Sequence, residues 1–189
     1  GRKNLLGIEG RDSDDRYELC RVKAIAGPRQ NGVVYEQHFE DGDHGWWLAG
    51  GIEGGLDEST RHEGKSSLRL RGIQQGSYNF TSHNLASPVL PGSRYRLSCW
   101  LKVESLRPDL KEPYLKIGLV DAEREWLANR HTGRYDAGKM GQWQRLTCTL
   151  ETTLDTAGGH LALEKGGKDT AVEIGAWIDQ VELELLEAP

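Results

Sequence analysis

Long apolar runs are missing from this chain: nothing in it approaches the roughly 18 consecutive residues of a membrane-spanning helix. No basic-then-apolar leader opens it either. Three cysteines, Cys20, Cys99 and Cys148, are too few for a disulfide scaffold. Basic excess is absent too: a net charge of −5 and a pI near 5.7 leave no positive field to gather nucleic acid. The spacings that announce common chemistries are also lacking. There is no Gly-x-Ser-x-Gly elbow, no complete phosphate-cradling Gly loop, no His-Glu-x-x-His and no Cys-x-x-Cys. The six histidines are scattered singly. Phenylalanine is scarce, with two against six tryptophans. A plain core is served by Leu, Val and Phe; an indole adds a flat apolar face with a polar edge, which suits a binding surface.

Short alternating runs divided by Gly, Pro, Asn and Asp fill the rest. The 189 residues suit one domain. Residues 1–15 are polar and charged and read as a loose arm; 16–32 hold an additional strand, Tyr17 to Ala26, and a Gly-Pro turn; 33–187 form the main body. The opening Gly1-Arg2-Lys3 reads as a cut from a longer chain. Leu68 and Leu70 oppose arginines. Tyr95, Leu97, Cys99, Leu101 and Val103 oppose Arg96, Ser98, Trp100 and Lys102. Leu115, Ile117 and Leu119 oppose Lys116 and Gly118, and Leu146, Cys148 and Leu150 oppose Arg145, Thr147 and Thr149. Period-two alternation with turn signals every ten or so residues predicts an all-β antiparallel sandwich or barrel with little helix. Helix is confined to a short turn within 106–111 or 121–129. Cys99 and Cys148 point inward as buried free thiols; a bond between them requires neighbouring strands in suitable register. Asp179, read by the same alternation, shares the apolar face of the last strand with Trp177, Val181, Leu183 and Leu185, so it needs a partner there.

Four segments carry a resemblance. Phe39-Glu40-Asp41-Gly42 runs on to Trp46; Gly64-Lys65-Ser66-Ser67-Leu68 follows; then Pro91-Gly92-Ser93-Arg94-Tyr95 continues through Ser98, Trp100 and Lys102; Ile178-Asp179-Gln180-Val181 comes near the end. In this order they resemble the jelly-roll carbohydrate-binding modules of the family four, nine and twenty-two type, over about residues 33–186. The resemblance implies a two-sheet jelly roll, first and last strands side by side, that binds carbohydrate without cleaving it in an extracellular or periplasmic setting, next to a catalytic or anchoring domain. It also implies a structural calcium held by Glu40, the carbonyl of Lys65 and Asp179, with Gly42 nearby. Oxygens from separate segments suit that ion, and the other reading is that Asp179 caps a turn or meets an arginine.

For the sugar site the residues nominate Trp100, mid-strand on a polar face, with Trp47, Trp126 and Tyr135 as stacking surfaces. Arg96, Asn129, Arg130 and Arg134 are the nominated hydrogen-bonding partners, and arginines among aromatics suit acidic sugars. Trp46 and Trp177 are assigned to the core. Two other readings stay open: a structural or protein-binding sandwich, and a jelly-roll lyase or hydrolase drafting His131, Arg134 and Tyr135.

Overall fold

The computed structural model describes residues 32–42, 44–108 and 112–189. The arm at 1–15, nearly all of the segment 16–32, and Cys20 lie outside the described residues. Eleven strands follow in order: β1 Val33–Gln37, β2 Trp47–Leu48, β3 Ile52–Asp57, β4 Ser67–Gln74, β5 Asn79–Asn84, β6 Arg94–Arg107, β7 Tyr114–Val120, β8 Trp126–His131, β9 Trp143–Glu151, β10 Gly158–Glu164 and β11 Val172–Glu187. A short 3-10 turn covers Ala137–Lys139. Neither place allotted to a helical turn is helical among its described residues: Leu106 and Arg107 end β6, and a turn after Asp121 leads into β8 at Trp126, while 109–111 lie outside the described residues.

The strands form two antiparallel sheets. One runs β3-β4-β11-β6-β9, with β1 also on β11; the other runs β2-β5-β10-β7-β8. On one side β11 carries β4 along its first half (Val172 to Ile178) and β1 along its second (Val181 to Glu184), so the opening and closing strands are neighbours. The alternating leucines explain the pairing of the sheets. Leu68, Leu70, Leu97, Leu101, Leu115, Ile117, Leu119, Leu161, Leu163 and Ile178 are all fully buried between them, each stabilising the fold by about 1.5–3 kcal/mol. This is a jelly-roll β-sandwich.

One bulge changes the reading of the last strand. Between Asp179 and Glu182 the β11–β6 register slips, and Gln180 takes a left-handed φ of 46°. Before the bulge, Ala176 and Ile178 point inward while Trp177 pairs with Lys102 and Arg69, and Asp179 with Trp100. After it, Val181 and Leu183 point inward. Asp179 and Trp177 therefore lie on the outer face of the first sheet, not on the face of Val181 and Leu183 as strict alternation requires; an extra residue in one strand resets the side-chain parity. The assignment of Trp177 to the core is corrected for the same reason: it is buried on the outside, its Nε1–H donating to Asp57 at 2.8 Å. Trp46 does lie in the core, 4% exposed, its Nε1–H donating to the Tyr35 hydroxyl.

The thiols of Cys99 and Cys148 are free. Their strands are adjacent, but the register sets Cys99 against Leu146 and Cys148 against Leu97. Burial pushes both thiols above the usual range, so neither is a ready nucleophile.

Candidate functional site

The outer face of the second sheet is a trough of about 690 Å³. Its floor is the outward set of β10 (Gly158, His160, Ala162, Glu164), with Asn84 on β5 and Lys116 and Val120 on β7. The ladder aligns them: His160 opposes Asn84 and Gly118, and Ala162 opposes Ser82 and Lys116. An indole stands at each edge. Trp47 on β2 and Trp126 on β8 are 48% and 50% exposed, with ring centroids 6.3 and 6.4 Å from that of His160.

The charged groups of the floor hold each other. Lys116 and Glu164 form an ion pair with both side chains nearly out of solvent, and the Tyr114 hydroxyl donates to Glu164 at 3.0 Å. Burial, followed by the charge of Glu164, pushes the Tyr114 hydroxyl up to about 12, so it stays a donor. The Lys116 ammonium lies 5.0 Å from the Trp126 ring centroid, a cation–π contact. His160 is held below the ordinary histidine range by burial first and by the charge of Lys116 second, so it is neutral at neutral pH. Its Nδ1 is buried and meets no partner among the described residues. A buried polar atom of that kind is costly unless a ligand or solvent meets it.

The opposite face, outside the first sheet, is roofed by the loop 58–65. His62 stacks on Trp100 at 3.7 Å and 15° and meets Trp143 edge-on. The backbone N–H groups of His62 and Glu63 donate to Asp179 Oδ2 at 3.0 and 3.3 Å, and that of Gln180 to Oδ1 at 2.8 Å. Burial outweighs those bonds and raises the Asp179 carboxyl above the usual carboxylate range. Asp57 shows the reverse: hydrogen bonds from Ser59 and Trp177 hold it down to about 2. Glu40 accepts the Lys65 N–H with both carboxylate oxygens, at 3.0 and 2.9 Å. Gly64 makes that possible, since it has φ of +69° and a β-carbon there would stand 2.0 Å from Glu40 Oε1.

The nominated residues divide between these places. Trp126 lines the trough and Trp47 stands beyond it on the edge strand, 6.3 Å from the His160 ring, and the register sets Asn129 opposite Gly118. Trp100 lies on the other sheet beneath His62. Arg96 is also there, bound to Glu184 through Nε and Nη2 at 3.0 and 2.7 Å. Tyr135 is corrected outright as a stacking surface. It is 1% exposed, and its hydroxyl lies 2.9 Å from the carbonyls of both Lys139 and Gln142. Arg130 is turned to the carbonyl of Asn129, its own neighbour, and Arg134 covers the Tyr114 ring at 4.7 Å. His131, whose ring centroid is 5.0 Å from that of Tyr114, and Arg134 both lie against the Tyr114 ring, whereas the Tyr135 hydroxyl is turned into the core, so the three drafted lyase residues do not share one point. The sequence reading passed over His160, Lys116, Asn84 and Glu164. Only their outward parity in alternating strands marked them, and that is the parity of any solvated face.

A family model for carbohydrate binding domains, CBM_4_9, matches residues 31–171. A stretch of 100 residues is 27% identical to endo-1,4-beta-xylanase A of Thermotoga maritima; it is 52% of this chain and 9% of that enzyme, so the chain corresponds to a small part of its relative. Among solved structures, the CBM22-1 xylan-binding domain of Paenibacillus barcinonensis Xyn10C aligns with a TM-score of 0.63 at 16% identity, over 86% of this chain and all of that one. The C-terminal family 22 carbohydrate binding module of Clostridium thermocellum Xyn10B aligns at 0.59 and 22% identity, over 84% and 96%. At such identities the structural likeness speaks for the fold, and the family match carries the function. The chain belongs to the carbohydrate binding domain family, as a β-sandwich module that binds carbohydrate without cleaving it.

Proposed function

We propose that the trough on the second sheet takes the interior of a xylan chain. The observation that carries this is the pair of half-exposed indoles on the two edge strands, with His160 between them. A sugar ring presents an apolar C–H face to an indole and hydroxyls to its surroundings. A polymer resting on Trp47 and Trp126 crosses the sheet and continues past both edges. Its hydroxyls then reach Asn84 and the Glu164–Lys116 pair beside the His160 ring. Xylan is favoured by the xylan-binding domain among the structural neighbours and by the xylanase relative. A neutral polymer is favoured over an acidic one because Lys116 is already paired with Glu164, Arg96, Arg130 and Arg134 lie outside the trough lining, and Arg124 in that lining is matched by the carboxylate of Asp121. By the same reasoning the module accompanies a polysaccharide-degrading enzyme outside the cell, where such polymers lie. Titrating tryptophan fluorescence with soluble xylan and with neutral and acidic glycans tests the reading. Xylan should give a saturable change and polyuronate none; a response to polyuronate alone, or to nothing, sinks it.

We also propose that calcium binds at the junction of the first and last strands. Glu40 and Asp179 flank the same loop, and each carboxylate offers about four acceptor positions. Asp179 gives three of them to amides, and Glu40 uses one on each oxygen for a single N–H. Calcium takes about six to eight oxygens. Among the described residues no three acidic, histidine or cysteine side chains gather for it, so carbonyls, that of Lys65 included, would complete the set. The ion would relieve the burial of an ionised Asp179 and tie the loop to both strands; it would do no chemistry. Removing divalent ions with a chelator should lower the melting midpoint by several degrees, restored by calcium. An unchanged midpoint overturns the ion.

A further inference from the structure

We propose that Gly118 is a positioning residue for sugar binding, the seat on which the Trp126 indole lies flat. The inference rests on the trough being the carbohydrate site. Trp126 belongs to the edge strand β8 and pairs with Val120, yet its ring reaches back along β7. A β-carbon at Gly118 would stand 1.8, 2.3 and 2.7 Å from Trp126 Cη2, Cζ2 and Cζ3. Real side chains do not approach so closely, so any other residue at 118 must lift the ring. The backbone gives no competing reason for the glycine, because Gly118 is not among the residues with positive φ. Glycine also weakens a strand interior. Its place in β7 is therefore explained by the ring above it and not by the chain through it.

The seat has a second support. Lys116, on the same face of β7, sets its ammonium 5.0 Å from the ring centroid and is itself anchored on Glu164. With one face of the indole on the glycine and Lys116 fixing its position, the ring stays half exposed and presents its free face to the trough. A raised ring would narrow the trough and tilt that face away from a chain bridging to Trp47.

The test is Gly118→Ala in three backgrounds, with soluble xylan as the probe. In the parent, G118A should weaken binding roughly tenfold, the scale of a lost binding hot spot, with a melting midpoint unchanged or slightly raised. Added to W126A, or to W126F, whose shorter ring lacks the three crowded atoms, G118A should change affinity no further. If W126A alone leaves xylan binding intact, the trough reading fails. If W126A weakens binding and G118A does not, the seat fails. A fall in melting midpoint of equal size in the parent and W126F backgrounds would mean that the strand itself requires glycine, which also overturns the seat. A readout without sugar is the Trp126 indole N–H resonance, assigned by its loss in W126A. It should shift in G118A, and an unmoved resonance rejects the proposal whatever the binding data say.

Discussion

Replacing Trp47 and Trp126 together with alanine abolishes measurable xylan binding and leaves the melting midpoint within a few degrees of the parent. The two halves of that result have different causes. Stacking a flat ring on an aromatic side chain is worth about 1–3 kcal/mol, by analogy with bases on aromatic platforms. Two platforms lost together give about 2–6 kcal/mol, or roughly thirtyfold to more than ten-thousandfold in Kd. The polar floor (His160, Asn84, Glu164) remains, but hydroxyl contacts there compete with water and add little without the platforms. Stability is spared because both indoles are about half exposed, and changes at such positions usually stay within about 0.5 kcal/mol. Each single variant should show an intermediate loss. Titration calorimetry with the folded double variant checks the prediction, and binding within threefold of the parent would remove the trough from consideration.

Much of this molecule can be read from its residues, and the failures have definite physical origins. The leucine alternations in β4, β6 and β7 mark the inner faces because a sheet covered on one side must bury every second residue. The pairing of the first and last strands follows from the ordered motifs. What alternation cannot supply is which outer face stays open. Trp100 and Trp126 look alike in sequence, each an indole among polar residues. One is roofed by His62 from a loop nearly forty positions away, while the other rests on Gly118 in the next strand. Both facts are tertiary. Asp179 shows a subtler limit, since the rule was sound and a single bulge inverted its outcome. Tyr135 sits in a segment rich in arginine and polar residues, yet its hydroxyl finds two carbonyls and its ring fills the core. His160 carried no signal of its own, because a lone histidine in a strand of leucines acquires meaning only when two indoles close on it.

Asp179→Ala should lower the melting midpoint by about 6–12 °C and expose Trp100 to quenchers. The carboxylate is fully buried and accepts the amides of His62, Glu63 and Gln180. Removing it orphans three donors, each worth about 1–3 kcal/mol if it stays buried. Part of that loss is recovered when the loop 58–65 opens to water, so about 3 kcal/mol is the reasonable total. For a domain of this size each kcal/mol shifts the midpoint by about 2–4 °C. Asp179→Asn should fall between the two, since one amide oxygen can still accept while the new NH2 group opposes a donor. The pH dependence has a definite sign. Burial raises the Asp179 carboxyl in the folded protein, so its contribution to stability is fully present below the ordinary carboxylate pKa and is lost as pH rises through the raised value. Asp57, held down to about 2, acts in the opposite sense: its stabilisation is present above the ordinary carboxylate range and fades as pH falls toward 2. Subtracting the midpoint–pH curve of the alanine variant from that of the parent should isolate the Asp179 step, and saturating calcium should flatten it by stabilising the ionised form. The loop opens in the variant because the acceptor beneath it is gone, which frees the indole stacked under His62. Quenching of tryptophan fluorescence by acrylamide should therefore rise together with the fall in midpoint. If the midpoint moves by less than 2 °C and quenching is unchanged, Asp179 does not hold the loop against the sheet, and the roof over Trp100 must be held from elsewhere.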